Sequence, residues 1–277
     1  MIYVEESLAG AGGVKLHTRR AQVAEPRGAV VVLHGYGDHS GRFGGLTELF
    51  NRLGLSVFLY DQRGHGLAGG ARGAVSSWND YLDDLDLFLA QVTRWHGAPP
   101  EIIFGHSMGG LVAAGYLLAR PHSFRLAVLS SPLMALAVTV GGAKLALARL
   151  ASRLAPRLSL PTEVKPEMLS HDPAVSKAYA EDPQSHKVAN SRWFTEMLGA
   201  QEFCLSHAAE LAVAGLLVVY GEADPLVAPR GAREFFEATR VVDKECRSYP
   251  DMLHEIFNET GKETPLADLA AWLAARL

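Results

Sequence analysis

The stretch Ile102-Ile103-Phe104-Gly105-His106-Ser107-Met108-Gly109-Gly110-Leu111-Val112-Ala113-Ala114 sets one hydroxyl in an otherwise apolar, glycine-rich run. Ile102-Ile103-Phe104 reads as a buried strand and Leu111-Val112-Ala113-Ala114 as a helix, so Ser107 falls on the turn between them, inside a G-x-S-x-G pattern. Glycines two residues to either side permit the sharp turn that pushes such a serine out of the backbone. A serine here would equally serve as a plain helix N-cap, and the five-residue pattern alone is common. A nucleophile also needs a base and an acid, so the remaining sequence decides between a catalytic turn and a structural one.

At 277 residues the chain is long enough for one large α/β domain with a sizeable core. Hydrophobic residues make up 48% and charged ones 20%, a globular balance. With 26 Lys+Arg against 30 Asp+Glu the net charge is −4, and no block of like charge offers an arm for nucleic acid, so phosphate backbones are excluded as partners. The two cysteines, Cys204 and Cys246, are too few for a disulfide framework and lack metal-ligand spacing. Both read as buried small hydrophobes, and no metal is expected. The start of the chain carries Glu5 and Glu6 where a secretory leader has its apolar stretch, which with the cysteine usage predicts a cytoplasmic protein.

Outward from residues 102–114 the pattern alternates. Two short stretches around the glycines at 10–13 predict a hairpin, and Ala29-Val30-Val31-Val32-Leu33 a fully buried strand. Helices follow at 43–53, 80–95 and 108–119, and strands at 56–60, 101–105 and 125–130, giving the rhythm of a mostly parallel sheet covered by helices on both faces. The rhythm breaks after Ser131-Pro132 and resumes at Leu216-Leu217-Val218-Val219-Tyr220, then closes with helix 230–238, strand 245–249 and helix 264–276. Residues 1–131 and 201–277 are expected to form the core, with 132–200 inserted as a cap.

In such sheets the chemistry gathers on loops at the carboxyl ends of the strands. Asp224 follows one such strand and His254 the last, giving the order Ser, Asp, His found in α/β-hydrolases. A serine hydroxyl attacks only when a neutral imidazole takes its proton, and the imidazole needs a carboxylate to fix its tautomer. Asp224 precedes Pro225 and would also suit a plain turn, while Glu222 and Asp251 are rival carboxylates. Among the eleven histidines, His65 and His106 lie in glycine-tight turns and are assigned structural hydrogen bonds.

The stretches HGYGDHSGRF (34–43), YDQRGHG (60–66), GHSMGG (105–110), VVYGEADPLV (218–227) and YPDMLHEIFNE (249–259) together resemble the monoacylglycerol lipase and bacterial lysophospholipase group of α/β-hydrolases. The resemblance runs from about residue 28 to 260 and leaves the cap unmatched. It implies Ser107 as nucleophile, Asp224 as acid and His254 as base, with the oxyanion held by the backbone N–H groups of Tyr36 and Met108. A glycine-rich loop and a helix N-terminus both present free N–H groups, which is consistent with those donors. The implied activity is hydrolysis of single-chain glycerolipids or related esters through an acyl-enzyme, without cofactor or metal. In one departure, Ala68 stands where the group has serine soon after Gly-His-Gly, which touches local hydrogen bonding and not the triad. An aminopeptidase-like amide hydrolase is the alternative enzyme, and it would need a carboxylate for the substrate's amine; a non-catalytic binding protein on the same fold is the other alternative.

Within the cap, Leu136, Val140, Ala143, Leu147, Leu150 and Leu154 recur at spacings of four and three, with Arg149 and Arg153 opposite. A single helix through them would carry an apolar stripe, either as a lid in transient contact with lipid or packed on the domain, bent in its middle at Gly141-Gly142. Trp193, Phe194, Met197 and Leu198 crowd the return to the core and are expected to pack there.

Overall fold

The computed structural model describes residues 3–138, 141–162 and 164–277. The predicted hairpin pairs β1 (Val4–Ala9) with β2 (Lys15–Ala21) in antiparallel register. The chain then alternates through β3 (Gly28–Leu33), α1 (Gly44–Arg52), β4 (Leu55–Asp61), α2 (Asn79–His96), β5 (Ile102–His106), α3 (Met108–Ala119) and β6 (Leu126–Ser130). Every residue of β3 to β6 is buried, as strands covered on both faces must be. Gly97, with φ 86°, ends α2 in the left-handed conformation that glycine adopts at little cost.

After β6 the chain leaves the sheet. It forms α4 (Gly142–Leu154), β7 (Ser159–Pro161), α5 (Pro173–Glu181), β8 (Val188–Asn190) and α6 (Ser191–His207), with β7 and β8 as a separate two-stranded ribbon. It returns through β9 (Gly215–Gly221), α7 (Pro229–Ala238), β10 (Asp243–Tyr249) and α8 (Glu263–Ala274). The main sheet runs β1-β2-β4-β3-β5-β6-β9-β10 and is parallel from β4 to β10.

Alternate residues of each strand feed two cores. Val31 and Leu33 join Tyr81, Leu85 and Phe88 of α2, whereas Val30 and Val32 join Phe50 of α1 and Trp272 of α8. Trp193 and Met197 pack into the first core as expected, with Phe194 and Leu198 partly buried against it. Cys204 is buried there too and Cys246 is half-buried; neither is paired.

The expected helix through residues 136–154 is corrected. Leu136 lies outside it in a single bridge to Val227, Val140 lies outside the described residues, and α4 begins at Gly142 with Gly141 as its N-cap. The glycines start the helix instead of bending it, because glycine is costly inside a helix and well tolerated as an N-cap. The leucine stripe also does not pack on the domain. Leu147, Leu150 and Leu154 are 66%, 52% and 77% exposed, while the opposite face, with half-buried Leu145 and Ala148 and buried Ser152, lies toward α6. Ser152 Oγ meets Thr195 Oγ1 of α6 at 2.7 Å.

Candidate active site

Ser107 sits between β5 and α3 with φ 54° and ψ −118°, a backbone conformation that an ordinary N-cap does not need. Its side chain makes no capping bond to the helix. The flanking glycines explain how the turn closes: a Cβ on Gly105 would collide with the carbonyl of Gly109, and one on Gly109 with the carbonyls of Leu33 and His34. The Ser107 N–H donates to Ser130 O at 2.9 Å, and its carbonyl accepts from Gly110 and Leu111 of α3. Only 7% of the residue is exposed.

Asp224 stands on the loop after β9. One carboxylate oxygen accepts from the N–H groups of Leu226 and Val227 at 2.8 and 3.0 Å, the Asx-turn geometry suggested by Asp-Pro. The other oxygen lies 2.6 Å from Nδ1 of His254. The turn bonds therefore fix the carboxylate that faces the ring. Glu222 instead pairs with Arg233 at 3.4 Å near the surface, and Asp251 is exposed.

His254 is 5% exposed. Burial opposes its protonation, but the Asp224 carboxylate, its hydrogen bond, and more distant Glu255 and Asp38 outweigh burial and hold the imidazole above the ordinary value of 6.5. Its ring lies 4.8 Å from that of His106, the residue before Ser107. No hydrogen bond joins Ser107 to His254 among the described residues, and such bonds are commonly long in a resting site and tighten with substrate.

The HGYG loop reaches the same point from β3. A Cβ on Gly35 would lie 3.2 Å from Cβ of Ser107, so the backbone of Gly35 and Tyr36 passes beside the elbow. His34 holds the loop: its Nδ1 donates to Gly35 O at 2.8 Å, which leaves Nε2 to accept the Gln62 N–H at 2.9 Å. Among the described residues no hydrogen bond occupies the N–H of Tyr36 or of Met108. The Tyr36 side chain ties this loop to the cap segment. Its hydroxyl lies 2.9 Å from the carbonyls of both Gly73 and Val188, and its ring lies against that of Trp193, the centroids 3.7 Å apart, joining the loop to β8 and α6.

His106 and His65 carry the structural bonds expected of them, Nδ1 to Ser130 Oγ at 3.3 Å and Nδ1 to Arg63 O at 3.0 Å. Burial, then the nearby His254, pushes His106 down to about 3, so it stays neutral beside that ring. Ala68 is buried, and its N–H donates to His65 O at 2.9 Å; the carboxylate of Asp61 ties the loop instead, accepting from Leu67 N–H at 2.7 Å and from Ser40.

A buried ion cluster escaped the sequence. Arg42 makes a bidentate pair with Glu255, at 2.7 and 2.8 Å, and reaches Asp38 at 3.2 Å. Asp38 and Arg42 stand four residues apart on one loop, but the third member, adjacent to His254 in sequence, comes from across the sheet. With Phe104, His106 and Ser130 these groups line a cavity of about 20 Å³, the space of one water.

The family model described as serine aminopeptidase, S33, matches residues 24–261. The chain is 32% identical to a monoacylglycerol lipase of Mycolicibacterium smegmatis over 99% of its own length and 98% of that protein's. It is 28% identical to the phospholipase YtpA of Bacillus subtilis, covering 86% of this chain and 92% of that one. The crystal structure of a Paleococcus ferrophilus monoacylglycerol lipase superimposes with a TM-score of 0.86 at 32% identity, over 95% of this chain and 99% of that one.

Proposed function

The chain belongs to the serine aminopeptidase S33 family and to the monoacylglycerol lipase group of α/β-hydrolases, and on that premise we propose that it hydrolyses single-chain glycerolipid esters through an acyl-enzyme on Ser107. The observation that carries this is the 2.6 Å contact of Asp224 with His254 beside a serine forced to φ 54°. His254, its tautomer held by Asp224, takes the Ser107 proton as Oγ attacks the ester carbonyl, and the backbone N–H groups of Tyr36 and Met108 stabilise the oxyanion. The proton then passes to the leaving alcohol. Water, activated by the same imidazole, releases the acid.

The amide-hydrolase alternative needs a carboxylate to hold a free amine. The buried carboxylates beside the base, Asp38 and Glu255, are already paired to Arg42, which favours the ester. The cap supports a lipid substrate. From Ala135 to Thr162 the sequence has Lys144, Arg149, Arg153 and Arg157 and no acidic residue, around the exposed leucines of α4. This is the make-up of a segment that lies on an anionic lipid surface. Among the described residues no helix is long and apolar enough to cross a membrane. Assignment to the cytoplasm rests on the unpaired cysteines, as a reducing compartment would keep them.

The test is a fluorophosphonate probe with a panel of monoacylglycerols, lysophospholipids, short aryl esters and aminoacyl amides. Label on Ser107 alone is expected, with turnover of the esters and loss of about 10⁶-fold in Ser107→Ala. Turnover of amides only would favour the peptidase, and no turnover with no label would leave a binding protein.

A further inference from the structure

Two non-glycine residues among those described have positive φ: Ser107, and Ser131 at 41°. Strain of this kind gathers at functional sites, where the surrounding structure enforces it. Ser131 stands just past β6, 1% exposed, and its hydroxyl donates to the carbonyl of His254 at 2.9 Å. Its own N–H donates to Val219 O of β9 at 2.7 Å. The residues around it reach the nucleophile: Ser130 O accepts the Ser107 N–H at 2.9 Å, and the Leu133 N–H donates to Ser107 O at 3.0 Å. One short segment thus bonds the serine turn, the histidine loop and the strand that leads to Asp224.

We propose that Ser131 is a positioning residue, whose hydroxyl sets the distance of His254 from Ser107 by holding the histidine's own carbonyl. Glycine would occupy φ 41° without strain, and the hydroxyl is what serine adds there. Because its backbone is held by β9 and its neighbours by the Ser107 turn, the bond to His254 closes the link between base and nucleophile. The inference rests on the triad proposed above.

Ser131→Gly tests it, since glycine adopts the same backbone without strain and removes the hydroxyl together with its single carbon. The expected result is an unchanged Tm and KM with kcat on a short aryl ester lower by about 10²-fold, the scale of loss for a misplaced catalytic group. The downfield proton resonance of the His254 Nδ1–H shared with Asp224 should broaden in the variant and persist in Ser107→Ala. Ser131→Ala, which keeps the strain and also lacks the hydroxyl, should show the same kcat loss with a lower Tm. A Ser131→Gly protein with the parent's kcat and an unaltered resonance overturns the proposal, as does a loss of activity that only follows the fraction unfolded. Absence of probe label on Ser107 in the parent would overturn the triad itself, and this inference with it.

Discussion

The Oδ2 atom of Asp224 lies 2.6 Å from Nδ1 of His254, while Oδ1 of the same carboxylate is held by two backbone N–H groups. In Asp224→Asn the amide oxygen can keep the turn, which leaves the NH₂ group facing the ring. A donor there selects the tautomer in which Nε2 cannot accept the serine proton, a change worth roughly 10⁴-fold in comparable triads. Glu222→Gln and Asp251→Asn should stay near the parent rate, Glu222 being paired with Arg233 and Asp251 exposed. Steady-state kinetics on one aryl ester checks all three, and a collapse in either of the last two with a near-normal Asp224→Asn would reassign the acid.

Activity should rise with pH through an apparent pKa above 6.5. A histidine serves as general base only when neutral, and the charges around His254 hold its proton more tightly than it is held in free solution, despite the burial that opposes this. His106, pushed down to about 3 chiefly by burial, adds no second step in this range. A profile of kcat/KM against pH that turns over below 6 would contradict the charge arrangement described.

Folding stability should respond to acid in the opposite sense from the base. Burial is the main cause that lowers His65 well below the ordinary value and His186 to about 4. Their unfolded forms take up protons near 6.5 while the folded ones resist, so stability falls as pH drops from 6.5 toward 4. The raised His254 acts only above 6.5, where it adds stability as the pH falls toward that value, and it leaves the slope between 6.5 and 4 to the lowered rings. Tm measured at pH 7 and pH 5 should differ by several degrees, the lower at pH 5; an equal Tm would mean that these rings are hydrated.

The strands, most helices and the strand-end loops that carry Ser107, Asp224 and His254 were legible because each rests on a local pattern: buried apolar runs, period-3.6 helices, and glycines at a turn. The Arg42–Glu255 pair was not, since it joins the loop after β3 to the loop after β10, and adjacency of Glu255 to His254 gave no sign of which partner it would meet. The start of α4 was misplaced for a different reason. Leu136 matches the helical spacing, but its bridge to Val227 is a tertiary contact that periodicity does not carry, and nothing local distinguishes a leucine stripe that packs from one that faces solvent.

Removing Arg42 should lower stability sharply. Arg42→Ala leaves Asp38 and Glu255 buried without their cation, a loss of about 3–5 kcal/mol when one partner of a buried pair is deleted. The unneutralised carboxylates would also raise the apparent pKa of His254 further. Chemical denaturation and the pH profile measure the two effects separately, and a variant of parental stability would show the cluster to be solvated.

The backbone donor proposed for Tyr36 and the anchoring contacts of its side chain can be separated by two variants. Tyr36→Ala keeps the N–H and removes the ring that stacks on Trp193 and the hydroxyl near Gly73 and Val188, so it should cost stability of about 3–5 kcal/mol, as aromatic truncations do. Tyr36→Pro removes the N–H as well, and loss of one oxyanion donor typically lowers kcat by about 10²–10³-fold. Proline should therefore be slower than alanine by that factor under conditions where both are folded. Equal rates would place the oxyanion donor elsewhere.

The last expectation concerns α4, whose leucines face solvent. Replacing Leu147 and Leu150, 66% and 52% exposed, with glutamate should shift stability by no more than about 0.5 kcal/mol, because surface positions of this kind carry little packing. It should nonetheless impair hydrolysis of long-chain monoacylglycerols presented in anionic vesicles. The change removes apolar surface and sets negative charge among Lys144, Arg149 and Arg153, so both attractions to the bilayer weaken together. Each methylene buried by a longer acyl chain is worth about 0.8 kcal/mol, so the defect should grow with chain length if the stripe also meets the substrate, and should be independent of it if the stripe meets only the bilayer. A short aryl ester in free solution should be turned over as by the parent. A uniform loss on all esters with a lower Tm would instead mean that the stripe packs within the protein, against the exposure seen here.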